Sequence, residues 1–354
     1  MKLTHRPRIP VAPPPKKPVL LMNLGVGWAA TSPFLYTLSI DQRYCHPGHI
    51  KENHYLRIIF DEEIRKVVSD EFIGRNVIKD FILKTSANES HWLFRGWQKE
   101  LFEYNYHFMD DSNYIKNWYQ DVSIEKYIDY YLKHWNVIKS DFHAVADFSN
   151  HNWALPYYER KGIKYGEEMV KKIQEVFDLK VTVQFRDPIR RLYSELGTCF
   201  DEKIPHTISR KKEKGMRSIS NGQNEFFKSC LKSDKWDGAS CRYAELYTKW
   251  ENLVGKDNIL YIIMEEFWNP QYRKQQCERL SNFLEAPIQK IHRNVYFPDK
   301  GADAPHYHGL TDQWTSDKET ITEENIQYAQ IIMRSCYTGF KEKFGYIPEM
   351  WSQL

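Results

Sequence analysis

Two stretches of the chain concentrate the residue types that hold an oxyanion. The first reads Phe185-Arg186-Asp187-Pro188-Ile189-Arg190-Arg191-Leu192-Tyr193-Ser194 and follows the alternating, β-branched run Leu179–Phe185. A strand there delivers Arg186 at its carboxyl end, and Ser194 falls two turns into the helix that Pro188 opens. Guanidinium is a planar fork of donors matched to phosphate, and a serine hydroxyl can complete the pocket. An Asp–Arg pair with a solvated basic face would use the same residues for structure alone. The second stretch is Gly25-Val26-Gly27-Trp28-Ala29-Ala30-Thr31-Ser32, after the apolar run Pro18–Asn23. Small residues let backbone approach a phosphate, and successive N–H groups with the Thr31 and Ser32 hydroxyls supply donors. It is not a Walker loop, because GK[ST] is absent, and a glycine turn of this kind also serves packing.

These stretches need strands to carry them, and the sequence supplies four. Val19–Asn23, Phe142–Asp147, Leu179–Phe185 and Asn258–Met264 are short apolar or alternating runs that end on polar turns. Helical spacing appears after Thr31 and across residues 53–83. It returns at Ile124–Trp135, Lys164–Phe177, 223–232, 240–254, 271–285 and 322–343. Strands alternating with helices predict an α/β fold, a three-layer sandwich with a mainly parallel central sheet flanked by helices. In such sheets ligands bind where the strands end, which is where both oxyanion stretches fall.

Residues 1–17 hold several prolines and basic residues and read as a flexible arm. Residues 18–354 then form one domain, with an aromatic-rich insertion near 85–120 and a polar, basic loop over 201–222. A loop of about 35 residues, 287–320, contains Lys300-Gly301.

Bulk composition excludes more than it assigns. The 354 residues are 42% hydrophobic and 27% charged, ordinary for a globular protein, and the net charge of +3 gives no reason to expect nucleic acid. Cys45, Cys199, Cys230, Cys241, Cys277 and Cys336 lie far apart without a CxxC pair. That argues against a disulfide scaffold and a zinc site, and for reduced structural thiols in the cytoplasm. Val19–Ile40 lacks charge, but Asn23, Gly25, Gly27, Thr31, Ser32 and Pro33 interrupt it, so a buried strand–turn–helix is expected in place of a membrane anchor.

The form R-D-P-x-x-R-x-x-S after a strand resembles the motif by which PAPS-dependent sulfotransferases hold the donor's 3′-phosphate. Further segments resemble that family in the same order: the 25–32 turn its 5′-phosphosulfate loop, and Ala146-Asp147-Phe148-Ser149 its second-strand turn. Later, Asn258–Phe267 resembles its late strand ending in an acidic residue, Leu280–Leu284 the helix after it, and Lys300-Gly301 its closing loop. The resemblance covers roughly residues 18–345 and implies a P-loop NTPase-like sulfotransferase fold. It further implies PAPS (3′-phosphoadenosine 5′-phosphosulfate) as donor, PAP as product, and no metal. Gly25, Gly27, Trp28, Ala29, Ala30, Thr31, Ser32, Arg186, Ser194, Lys300 and Gly301 would hold the nucleotide.

Two departures accompany it. The family's 5′ loop carries a lysine where this chain has Trp28, so a cation from the 85–120 neighbourhood, Lys84 or Arg95, would have to stand in. The segment Tyr104–Asp110 keeps His107 and Phe108 of the family's base-bearing run but has Asn105 at the acidic position. His107 is the expected general base, with Glu103, Glu100 and His151 as the next choices. The implied reaction is in-line transfer of a sulfuryl group to a hydroxyl or amine of a small-molecule, glycan or lipid acceptor. A donor-binding protein without transfer activity, a nucleotide-dependent kinase and a membrane-anchored protein are the competing expectations. Acceptor and oligomeric state are left open by the sequence.

Overall fold

The computed structural model describes residues 17–27, 29, 31–42, 44–48, 55–60, 122–200, 222–232, 241–288 and 320–351. Its centre is a five-stranded parallel sheet: β1 (Val19–Asn23), β2 (Cys45–His46), β3 (Ala144–Asp147), β4 (Asp178–Phe185) and β5 (Ile259–Ile263), in the order β2-β3-β1-β4-β5. Parallel strands covered on both faces read as unbroken apolar runs. β1 does so, with four of its five residues buried, and so does most of β4. β1 lies between β3, with Leu20 opposite Val145, and β4, with Met22 opposite Val181.

The chain leaves β1 for one side of the sheet, builds β2 and β3, then crosses to build β4 and β5 on the other. That reversal beside the central strand is where an open α/β sheet leaves a crevice at its carboxyl edge.

Helices cover both faces. α1 (Thr31–Tyr36) runs directly into a π-helical turn, Thr37–Asp41. There follow α2 (Tyr55–Phe60), α3 (Ile124–Ile138), α4 (Tyr165–Val176), α5 (Pro188–Phe200), α6 (Gly222–Leu231) and α7 (Tyr243–Val254). The short α8 (Met264–Trp268), α9 (Arg273–Leu284), α10 (Glu323–Ile332) and α11 (Arg334–Phe344) complete the described elements. Neighbouring residues of β4 point to opposite faces and show the layering. The Phe185 ring stacks on Tyr243 of α7 at 4.4 Å and meets Phe340 of α11 edge-on at 6.0 Å. Lys180, on the other face, lies over Phe283 of α9.

α3 shows why these residues make these elements. Ser123 caps it by accepting from the Lys126 N–H at 3.2 Å, and Ile124, Tyr127, Tyr131, His134, Trp135 and Ile138 recur at helical spacing on its buried side. A fully buried apolar side chain such as Ile138 contributes about 1.5–3 kcal/mol.

The α/β class with a parallel sheet is therefore as the sequence predicts, with three differences of detail. The two-residue β2 has too little length to leave a pattern. The 3-10 helix Asn152–Tyr157 and α8 went unforeseen. The helix expected over 322–343 is two, because Met333, at φ −97° and ψ 12°, departs from helical geometry. The cysteines Cys45, Cys230, Cys241, Cys277 and Cys336 are free and buried, and burial pushes the Cys45 and Cys336 thiols up to about 12, as inert structural thiols require. Among the described residues no helix is long and apolar enough to cross a membrane, and Val19–Ile40 forms β1, its turn and the α1 segment.

Candidate functional site

The turn after β1 begins with its backbone committed to the sheet. Leu24 N–H bonds Thr182 O at 2.8 Å, Gln184 N–H bonds Gly25 O at 2.7 Å, and Val26 N–H bonds Gln184 O at 3.2 Å. Asn23 supports this extension from below: its Nδ2 donates to Thr182 Oγ1 and its Oδ1 accepts the Gly25 N–H, both at 3.0 Å. Gly25 has φ +89°, and a Cβ there would stand 2.9 Å from Asn150 O in the turn after β3. Only glycine fits that position. Gly27 differs, since a Cβ on it would meet no described atom within 4 Å. Among the described residues nothing blocks close approach to the backbone at Gly27, the second of the two glycines in this turn.

Ala29 lies within the loop, where its N–H closes a turn on Val26 O at 3.3 Å. Thr31 is buried at the start of α1, and Ser32 follows it there. Trp28 and Ala30 lie outside the described residues. So do Lys84, Arg95, Glu100, Glu103, His107, Lys300 and Gly301, and the segments 1–16, 61–121, 201–221 and 289–319.

The turn after β4 is built from side chains. Arg186 Nη1 donates to Ser194 Oγ at 3.0 Å, joining the two residues that the sequence singles out. Asp187 has a different task. Its Oδ1 accepts the N–H groups of Ile189 at 2.9 Å and Arg190 at 3.1 Å, capping α5, and also the Tyr337 hydroxyl at 3.1 Å. The amino end of α5 is therefore satisfied internally, which leaves Arg186 and Ser194 as the side chains of this turn whose chemistry suits an anion. Glu265, in the first turn of α8 just after β5, accepts the Asp187 N–H and the Trp351 indole N–H, each at 3.0 Å, while Tyr243 donates to Arg186 O at 2.8 Å.

The electrostatics follow from burial. Loss of solvent lowers the Arg186 pKa, and the charges of Glu265 and Asp187 oppose that shift. Loss of solvent raises the Glu265 carboxyl, and Arg186 opposes it. Arginine stays protonated through such shifts, so the turn presents a half-buried cation backed by two carboxylates.

Arg191 joins the two turns. It is 1% exposed, donates from Nη1 to Gly27 O at 3.1 Å, and reaches Glu195 Oε2 with Nη2 at 3.2 Å. The sequence shows Arg191 only as part of a basic helix face; nothing local says that it ends on a carbonyl of the first turn. The turn after β3 is also polar: Asp147 accepts from Tyr127 at 2.7 Å and from Ser149 at 2.6 Å, and His151 directly precedes the 3-10 helix Asn152–Tyr157.

No protein-family model matches the chain, and no curated protein does. Among solved structures it is similar to a sulfotransferase from Alicyclobacillus acidocaldarius, at 13% identity and a TM-score of 0.49, over 95% of this chain and 99% of that one. It is also similar to the sulfotransferase domain from the curacin biosynthetic pathway, at 12% identity and a TM-score of 0.41, over 90% of this chain and 96% of that one. At such low identity, function has to be read from the site's own geometry.

Proposed function

We propose that the protein binds a 3′-phosphorylated adenosine nucleotide, PAPS or its product PAP, and moves the sulfuryl group of PAPS to a hydroxyl or amine. The observation that carries this reading is the Arg186–Ser194 pair, 3.0 Å apart at the carboxyl end of β4 and tied through Arg191 to the open glycine turn after β1. Arg186 and Ser194 offer a phosphate one charged and one neutral donor. The Gly25–Ser32 turn offers the other end of the donor a close backbone approach at Gly27 and the hydroxyl of Thr31.

In the reaction, the bond from sulfur to the bridging phosphate oxygen breaks as sulfur bonds the acceptor's oxygen or nitrogen. The acceptor's proton passes to a base, for which His107 and Glu103 are the proposed residues, and PAP leaves with the bridging oxygen. Arg186, Ser194 and the turn contribute position and charge, as fixed donors do in phosphoryl transfer. The residues assigned here require no metal.

Trp28 favours a second reading, in which PAPS or PAP binds without transfer, since an indole supplies no cation to the departing oxygen. Lys84 is the proposed replacement under the first reading.

Calorimetric titration with PAP tests the binding step. Wild type should bind, and Arg186→Ala should not. Absent binding by wild type, or equal affinity in the variant, would sink the proposal. Radiolabel transfer from PAPS to a panel of alcohols, sugars and amines separates the enzyme from the silent binder.

A further inference from the structure

β4 carries one residue that its pattern does not explain. The strand Asp178–Phe185 is central, parallel and buried, and positions such as Val181 and Val183 are what that setting selects. Gln184 is 2% exposed, and neither its Oε1 nor its Nε2 has a hydrogen-bond partner among the described residues. A buried primary amide left unpaired costs about 1–3 kcal/mol, so native proteins rarely keep one without a use.

Its place identifies the use. The Gln184 backbone holds the first turn from both sides, through Gly25 O and the Val26 N–H. Two-residue alternation puts its side chain on the face of Thr182, whose hydroxyl takes the Asn23 amide. Asn23 and Thr182 satisfy each other and the Gly25 N–H, so the polar network closes below Gln184. One step further toward the carboxyl edge on the same alternation comes Arg186, with Ser194. Gln184 therefore stands between a closed structural network and the Arg186–Ser194 pair, beside the turn that carries Gly27.

We propose that Gln184 is a further binding residue of this cradle. Its Nε2 donates to an anionic oxygen at the phosphate end of the bound nucleotide, and its Oε1 accepts from water in that oxygen's shell. The inference rests on the nucleotide-binding reading above and adds a residue to it.

Gln184→Met, nearly isosteric and apolar, tests the idea through two readouts of opposite sign. Removing two unpaired polar atoms should raise the melting temperature of the nucleotide-free protein by roughly 2 °C or more. The same change should weaken PAP by about tenfold or more, as expected for a hydrogen bond to a charged group. Gln184→Glu, which exchanges the donor for an acceptor, should weaken it further, and Gln184→Leu should repeat the methionine result. A fall in melting temperature in both apolar variants would overturn the proposal, because the amide would then be doing structural work. PAP affinity within twofold of wild type would overturn it too and leave the PAPS reading standing. If wild type ignores PAP but binds AMP or ADP in a Gln184-dependent way, the PAPS reading fails and this one holds. If wild type binds none of PAP, AMP, ADP, phosphate or sulfate, both fail.

Discussion

The turn after β1 and the turn after β4 sit at the same edge of one sheet and are made by opposite means. The first is backbone: its N–H and C=O groups are taken up by β4, and its shape depends on a glycine at φ +89°. The second is side chain: Asp187 within it, joined by Glu265, Tyr243, Tyr337 and Trp351 from four other parts of the chain, holds Arg186 against Ser194. A backbone turn brings atoms close but carries little charge of its own. A side-chain turn brings charge but must be braced, since a buried guanidinium is costly unless paired. Arg191 is the joint at which the braced turn fixes the bare one.

If that contrast is right, mutations in the two turns should fail differently. The largest effect belongs to Arg186→Ala, which removes the charge while leaving the brace. PAP affinity should fall by about a hundredfold or more, with most of the structure retained by circular dichroism. Equal PAP affinity would dissolve the distinction. Next comes Gly25→Ala, where the damage should be to folding: a side chain at φ +89° and 2.9 Å from Asn150 O should cost about 2–3 kcal/mol in chemical denaturation. A variant as stable as wild type would mean that the turn is soft, and the backbone account of it would go. Smaller again is Tyr337→Phe, which removes one hydroxyl from Asp187 and should cost about 1 kcal/mol of stability. PAP affinity should drop only a few-fold, since the α5 cap survives.

The same contrast explains what the sequence discloses. Arg186 and Ser194 are legible because a strand end and a helix fix their spacing, and their separation is local. Four strands are legible because parallel, buried strands leave apolar runs; Cys45–His46 leaves two residues and no pattern. Tyr337 is not legible, since its bond to Asp187 spans 150 positions and any buried tyrosine looks the same in the sequence. Arg191 escapes notice because its acceptor is a carbonyl, and carbonyls carry no residue label. The bond from the Ala29 N–H to Val26 O is hidden for a related reason, since both of its atoms belong to the backbone. Gln184 is visible as a polar residue in an apolar strand, but only the fold places it beside Gly25.

The smallest effect concerns the brace itself and is read through pH. Burial raises the Glu265 carboxyl above its ordinary value and Arg186 resists that rise. An acid whose folded pKa is raised binds its proton more tightly in the folded state. Its contribution to stability is therefore fully present below the unfolded value, about 4.3, and is lost as pH climbs through the raised folded value. Glu265→Gln cannot titrate, whereas Glu266, also raised by burial, titrates in both proteins and cancels from their difference. The melting temperature of wild type relative to Glu265→Gln should accordingly be higher at pH 5 than at pH 8, by roughly a degree or two. In an Arg186→Ala background the opposing cation is gone, the folded value rises further, and the decline should extend to higher pH. A flat difference, or one that grows with pH, would show that Glu265 does not act as a buried, charge-balanced brace.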